Sequence, residues 1–143
     1  MNGIIGALPI ERPKILLVED EPSVRRSLQL LLYAQGYDIR SYASSAALVA
    51  APLVDEAICL VADYRMPGMD GLAVLRSLRA RGWQRPAILI TAYASPDLVE
   101  QAVKEGFSIV IDKPMHEHAL ADAVRRFTTQ IEATPIALRP SSE

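Results

Sequence analysis

This chain of 143 residues has one cysteine, two histidines, 6% aromatic residues and a formal net charge of only −2. Each shortage removes a class of function. Cys59 cannot close an internal disulfide, and its place in the apolar run 57–61 predicts an inert buried thiol. A charge so near balance, with no run of Lys and Arg and no basic recognition helix, argues against nucleic acid and against an anionic membrane surface. No stretch is long enough to span a bilayer, and the apolar start 1–8 has neither the basic lead nor the length of a signal peptide. Cytoplasmic residence is the expectation. His116 and His118 fall on different sides of a predicted helix start, so they read as surface residues rather than a metal pair.

What is present is apolar residue in quantity, half of the chain, enough for one domain with one core and no room for a second. Four short runs rich in Ile, Leu or Val (14–18, 57–61, 87–91 and 108–111) read as strands buried on both faces. Between them lie segments with helical spacing: Val24, Leu28, Leu31 and Leu32 in the first, and Leu98, Val99, Ala102 and Val103 in a later one. Alternation of this kind implies an α/β fold, a doubly wound parallel sheet with helices on both faces. Residues 37–42 are more polar and fit an edge strand, the second of five. Gly36, Gly82 and Gly106 each follow a helical segment, Ser44 and Ser95 are placed as N-caps, and Pro96 takes a first helical position. A last helix is predicted over 117–131, with Leu120, Val124, Phe127 and Ile131 on one face. The expected organisation is an extension over 1–13, one domain over 14–131, and a tail or truncated linker over 132–143.

In a doubly wound sheet, ligands bind beyond the carboxyl ends of the strands, where the winding reverses. The residues at those ends are Glu19, Asp20 and Glu21, then Asp63, Thr91 and Lys113. Carboxylates brought so close would destabilise one another without a cation among them. Mg²⁺, which prefers carboxylate, carbonyl and water oxygens, is the cofactor this set suggests. Asp70 is assigned to capping the helix that begins near Leu72, Met66 and Met69 to turn packing, and Trp83 to a loop without chemical role.

Four segments, Leu17-Val18-Glu19-Asp20-Glu21-Pro22, the run from Asp63-Tyr64-Arg65-Met66-Pro67-Gly68 to Met69-Asp70-Gly71, Ile90-Thr91-Ala92 and Asp112-Lys113-Pro114, together resemble the motifs of response-regulator receiver domains. The wording around Asp63 is similar to that of nitrogen-fixation regulators. The resemblance implies a flavodoxin-like sheet of order 2-1-3-4-5 and a phosphoacceptor switch of two-component signalling, not a conventional enzyme. By resemblance Asp63 is the nucleophile that a sensor histidine kinase or phosphotransfer protein phosphorylates. Asp20, Asp63 and the backbone carbonyl of Arg65 hold Mg²⁺, Glu19 acts through a metal-bound water, and Glu21 is a solvated neighbour. Lys113 and the metal neutralise the phosphoryl oxygens, Thr91 donates its hydroxyl to one of them, and small Ala92 leaves the donor a path. The family pattern also implies catalysis of its own phosphorylation and dephosphorylation. It further implies a switched surface around the fourth helix, fifth strand and fifth helix, a downstream protein target or separate output domain, and a phosphorylation-dependent dimer.

One departure stands out: the position three residues before Lys113, aromatic in most receivers, is Val110, and Phe107 lies three residues too early to replace it. The change on phosphorylation is therefore expected to run through 91–96 and the fourth helix. Arg25 and Arg26 on the first helix are expected to dock the phosphohistidine partner. Two rivals fare worse. A haloacid-dehalogenase-like phosphohydrolase wants an acid two residues after its nucleophile, where this chain has Arg65. A flavodoxin-like cofactor binder wants a Ser-, Thr- or Gly-rich loop where this chain has Glu19-Asp20-Glu21.

Overall fold

Branched and aliphatic residues fit a pleated surface covered on both sides, and the apolar runs form strands accordingly. The computed structural model describes residues 11–116 and 118–133. In chain order the elements are β1 (Lys14–Val18), α1 (Pro22–Ala34), β2 (Asp38–Tyr42), α2 (Ser45–Ala50), a 3₁₀ turn (Val54–Glu56), β3 (Cys59–Asp63), α3 (Gly71–Ala80), β4 (Ala87–Thr91), α4 (Pro96–Glu105), β5 (Ile109–Asp112) and α5 (Ala119–Ala133). The strands form one sheet of order β2-β1-β3-β4-β5. All four pairings are parallel, with Val18 beside Ala62, Asp63 beside Ile90 and Thr91 beside Asp112. Winding reverses between β1 and β3, so the carboxyl ends of those two strands flank the natural crevice.

Side chains alternate across a strand, which splits the core in two. Leu16 and Val18 pack with Leu48 of α2, Leu72, Leu75 and Leu78 of α3, and Leu98 and Ala102 of α4. Ile15 and Leu17 point the other way, onto Leu28 and Leu32 of α1 and Leu120 and Val124 of α5. Each buried Leu or Ile stabilises the fold by roughly 2 kcal/mol relative to exposure. The expected caps form: the side chains of Ser44, Asp70 and Ser95 accept from the backbone N–H of Ala47, Ala73 and Leu98. Gly106 ends α4 at φ +111°, a left-handed conformation that favours glycine.

Several sequence expectations shift. The third strand starts two residues late, at Cys59, and runs on to include Asp63 as its last residue, where the expected strand 57–61 left Asp63 beyond its end. The fifth strand, expected to be buried on both faces, is only half-buried along Ile109, Val110 and Ile111, because it lies at the sheet edge and has β4 as its sole strand neighbour among the described residues. In α4, Leu98 and Ala102 are buried while Val99 and Val103 are 39% and 59% exposed, since adjacent helical residues point about 100° apart. Trp83 is a core residue: it is buried and its indole N–H donates to Ala57 O at 3.1 Å. The helix α5 begins at Ala119; Glu117, the Ile131 side chain and segments 1–10 and 134–143 lie outside the described residues.

The two ends of α4 are fixed differently. At its C-terminal end Arg76 of α3 grips Glu105 with two nitrogens, Nη2 at 2.6 Å and Nε at 3.2 Å. Arg79 donates to the carbonyls of Trp83, Arg85 and Gly106, and buried Phe107 fills the core just beyond. The N-terminal end is held by the Ser95 cap, the short 92–95 loop and the buried Leu98, with no side-chain ion pair like that of Arg76 and Glu105 among the described residues. No helix among the described residues is long and apolar enough to cross a membrane.

Candidate functional site

At the end of β1 the Glu19 N–H donates to Tyr42 O, carrying the chain past the sheet edge before Pro22 starts α1. Glu19 is only 1% exposed, an expensive place for a charge without partners. It has them: Oε1 accepts from Lys113 Nζ at 3.0 Å and Oε2 from the Glu21 N–H at 3.2 Å. Glu21 contributes through its backbone and its side chain stays exposed, as expected of a solvated neighbour.

Asp63, 6% exposed, is placed by β3 with β1 and β4 on either side. Its carboxylate Oδ1 lies 3.2 Å from Lys113 Nζ, so one ammonium bridges Asp63 and Glu19. Lys113 reaches this point because its N–H donates to Thr91 O just beyond β5, where the Lys113–Pro114 peptide is cis. Asp20 is exposed at the mouth, and carboxylate oxygens of Glu19, Asp20 and Asp63 lie within 4.8 Å of one another. Thr91 is 1% exposed at the end of β4, and its Oγ1 accepts from the Tyr93 N–H at 3.0 Å.

Burial, and next the Glu19 charge, push the Asp63 carboxyl above its ordinary range; Lys113 pulls the other way without cancelling them. For Lys113, burial favours loss of the proton, but the Glu19 hydrogen bond and the Asp63 and Glu19 charges together outweigh it and hold the ammonium above its usual range. The crevice thus holds three carboxylates against one bridging ammonium, an arrangement that invites a further cation. Oxygens sharing one Mg²⁺ at about 2.1 Å stand at most about 4.2 Å apart, so small side-chain adjustments suffice for the set to fit that ion. Both Glu19 oxygens already accept hydrogen bonds, which leaves Asp20 and Asp63 the freer pair. Cys59, fully buried with its thiol pushed up to about 12 by burial, takes no part.

Other expected residues fall outside the cluster. The Arg65 guanidinium stacks 4.2 Å above the Tyr93 ring, joining the loops after β3 and β4, so only its backbone remains for the crevice. His116 and His118 are exposed. Arg26 is exposed as expected, but Arg25 is not free for docking: its Nη1 donates to Glu19 O at 2.8 Å. Sequence spacing put Arg25 on the correct helix without indicating which way its long side chain turns. Beside the crevice, Val24, Ser27, Leu31, Met115 and Leu120 line an apolar groove of about 530 Å³ between α1 and the loop after β5, and Lys113 forms part of its wall.

Comparison with known proteins gives three findings. Residues 15–125 match the family model described as response regulator receiver domain. The chain is 35% identical over 109 residues to the transcriptional regulatory protein FixJ of Azorhizobium caulinodans, covering 76% of this chain and 52% of that protein. It is also 33% identical over 114 residues to the C4-dicarboxylate transport transcriptional regulatory protein DctD of Rhizobium meliloti, 80% of this chain and 25% of that protein. These regulators are therefore about two to four times as long as the segment matched here. The crystal structure of FixJ-N superimposes with a TM-score of 0.74 at 31% identity, covering 90% of this chain and all of that one.

Proposed function

Because the chain belongs to the response regulator receiver domain family, we propose that it accepts a phosphoryl group on Asp63 from a phosphohistidine donor with Mg²⁺ at Glu19, Asp20 and Asp63. The observation that carries this reading is the Lys113 ammonium held between Asp63 and Glu19, with three acidic oxygens gathered beside it. A carboxylate oxygen of Asp63 attacks phosphorus, the P–N bond of the donor breaks, and the imidazole leaves with the electron pair. The product is an acyl phosphate. Lys113, 3.2 Å from Asp63, would meet charge on the transferring oxygens, and the Thr91 hydroxyl at the end of the neighbouring strand β4 would donate to one of them. Mg²⁺, when bound, supplies further positive charge; Asp20, Asp63 and the Arg65 carbonyl would hold it, with Glu19 acting through water.

The partner on the donor side is a sensor histidine kinase or phosphotransfer protein, for which the apolar groove between α1 and the loop after β5 is the docking surface. Return of the acyl phosphate to carboxylate is hydrolysis in the same crevice. On the output side we assign a downstream protein target or a separate output domain, in keeping with the greater length of FixJ and DctD, and a dimer formed on phosphorylation. We place the receiver unit at 14–131, flanked by 1–13 and 132–143, in the cytoplasm. The phosphohydrolase alternative has no support, since Arg65 occupies the position of the required acid and stacks on Tyr93.

Incubation with acetyl phosphate tests the proposal by intact mass. One phosphoryl group should appear with Mg²⁺ and none with a chelator, and Asp63→Asn should abolish it. Equal labelling of the Asn variant would remove Asp63 as acceptor.

A further inference from the structure

The Arg25–Glu19 bond assigns a task to a residue that spacing alone placed on a docking face. We propose that Arg25 is a positioning residue of the acceptor crevice, fixing the peptide between Glu19 and Asp20 and thereby the stance of both carboxylates toward the cation. The inference rests on the reading of Asp63 and Mg²⁺ given above.

Arg25 sits one turn into α1, its N–H donating to Glu21 O in the first backbone bond of that helix. From there Nη1 turns back six residues to Glu19 O at 2.8 Å. A peptide is planar, so holding the carbonyl of Glu19 also fixes the Asp20 N–H and the direction in which Asp20 leaves the backbone. This matters most for Asp20, which is exposed and has little packing to orient it. Glu19 is already restrained at both carboxylate oxygens by Lys113 and by the Glu21 N–H. With Arg25 on its carbonyl and its own N–H on Tyr42 O, every polar group of Glu19 is engaged. Such a turn is set before the cation arrives, and groups that orient metal ligands commonly matter about tenfold or more for metal affinity.

A guanidinium suits the task because its donors lie in a rigid plane, whereas an ammonium on a flexible stem fixes the carbonyl less well. Arg26, one residue on, points to solvent and supplies a control of equal charge.

Mg²⁺ titrations followed by backbone amide shifts, with acetyl phosphate labelling run in parallel, test the inference on the full chain. Arg25→Gln should weaken Mg²⁺ binding about tenfold and slow labelling by a similar factor at low Mg²⁺, with saturating Mg²⁺ restoring the rate. Arg25→Lys should fall between Gln and wild type, and Arg26→Gln should bind Mg²⁺ as wild type does. An Arg25→Gln chain that folds and keeps wild-type Mg²⁺ affinity overturns the inference alone. If the Gln variant does not fold, Arg25→Lys decides: weakened Mg²⁺ binding supports the positioning role and unchanged binding rejects it. A wild-type chain without Mg²⁺-dependent labelling would overturn the underlying reading and this inference together.

Discussion

Gly71 opens α3 against the carbonyl of Asp63, so close that a β-carbon at position 71 would lie 2.6 Å from that oxygen and 2.8 Å from Leu89 Cδ1. The first of these obstacles is backbone, which cannot swing aside. Gly71→Ala should therefore move Asp63 or push α3 off the sheet, and overpacking of this kind typically costs about 1–3 kcal/mol. Urea denaturation should register that loss. Acetyl phosphate labelling should slow even under conditions where the variant is fully folded.

Asp63 also makes stability depend on pH. Its folded carboxyl titrates above the ordinary value of 3.8, so its protonated form is the one the fold favours. The corresponding stability is fully present below 3.8 and is lost as pH rises through the raised folded value. Without metal at neutral pH, Asp63→Asn should melt at a higher temperature than wild type, and the gap should close as the pH falls below 3.8. Mg²⁺ should then raise wild type more than the variant, because the ion binds the folded carboxylates. An Asn variant less stable than wild type at neutral pH without metal would contradict this account.

Arg26→Glu should slow phosphotransfer from a partner histidine kinase, by repelling or misplacing its docking surface, and leave acetyl phosphate labelling nearly unchanged. Stopped-flow or gel-based transfer assays with the two donors separate the outcomes. Equal slowing with both would move Arg26 from docking to the crevice.

The strand ends were legible in the sequence because each chemical residue directly follows or closes an apolar run: Glu19 after β1, Asp63 and Thr91 at the ends of β3 and β4, Lys113 after β5. Buried parallel strands write themselves as continuous Ile, Leu and Val, and the crevice residues are punctuation to those runs. Less legible were features decided by tertiary neighbours. Ile109, Val110 and Ile111 look as buried as Ile88 to Ile90 in composition, yet an edge position leaves them half-covered. Trp83 reads as a loop residue because nothing local reveals that its indole N–H meets Ala57 O across the fold. Arg25 is similar, since helical spacing gives the direction of a Cβ and not the end point of a long side chain.

A beryllofluoride mimic of the acyl phosphate should alter amide hydrogen exchange chiefly over residues 91–99. The amides of 102–106 should change little, since Arg76, Arg79 and Phe107 secure that end of α4. Arg76→Gln should spread the change along the whole helix. Protection changes centred on Val110 with 91–99 unaltered would reject this route.

With Glu105 held by Arg76, a displacement of the other end would turn α4 like an arm on a pivot. A helix of 10 residues is about 15 Å long, so a displacement of about 1 Å at the Pro96 end, with Glu105 held by Arg76, is a tilt of about 4°. Val99 and Val103 lie on the outer side of that helix, exposed. A tilt would leave their chemistry constant while changing their angle to the rest of the surface. A partner that bound there would distinguish the two orientations by geometry, and a flat or rigid partner surface would discriminate better than a pliable one.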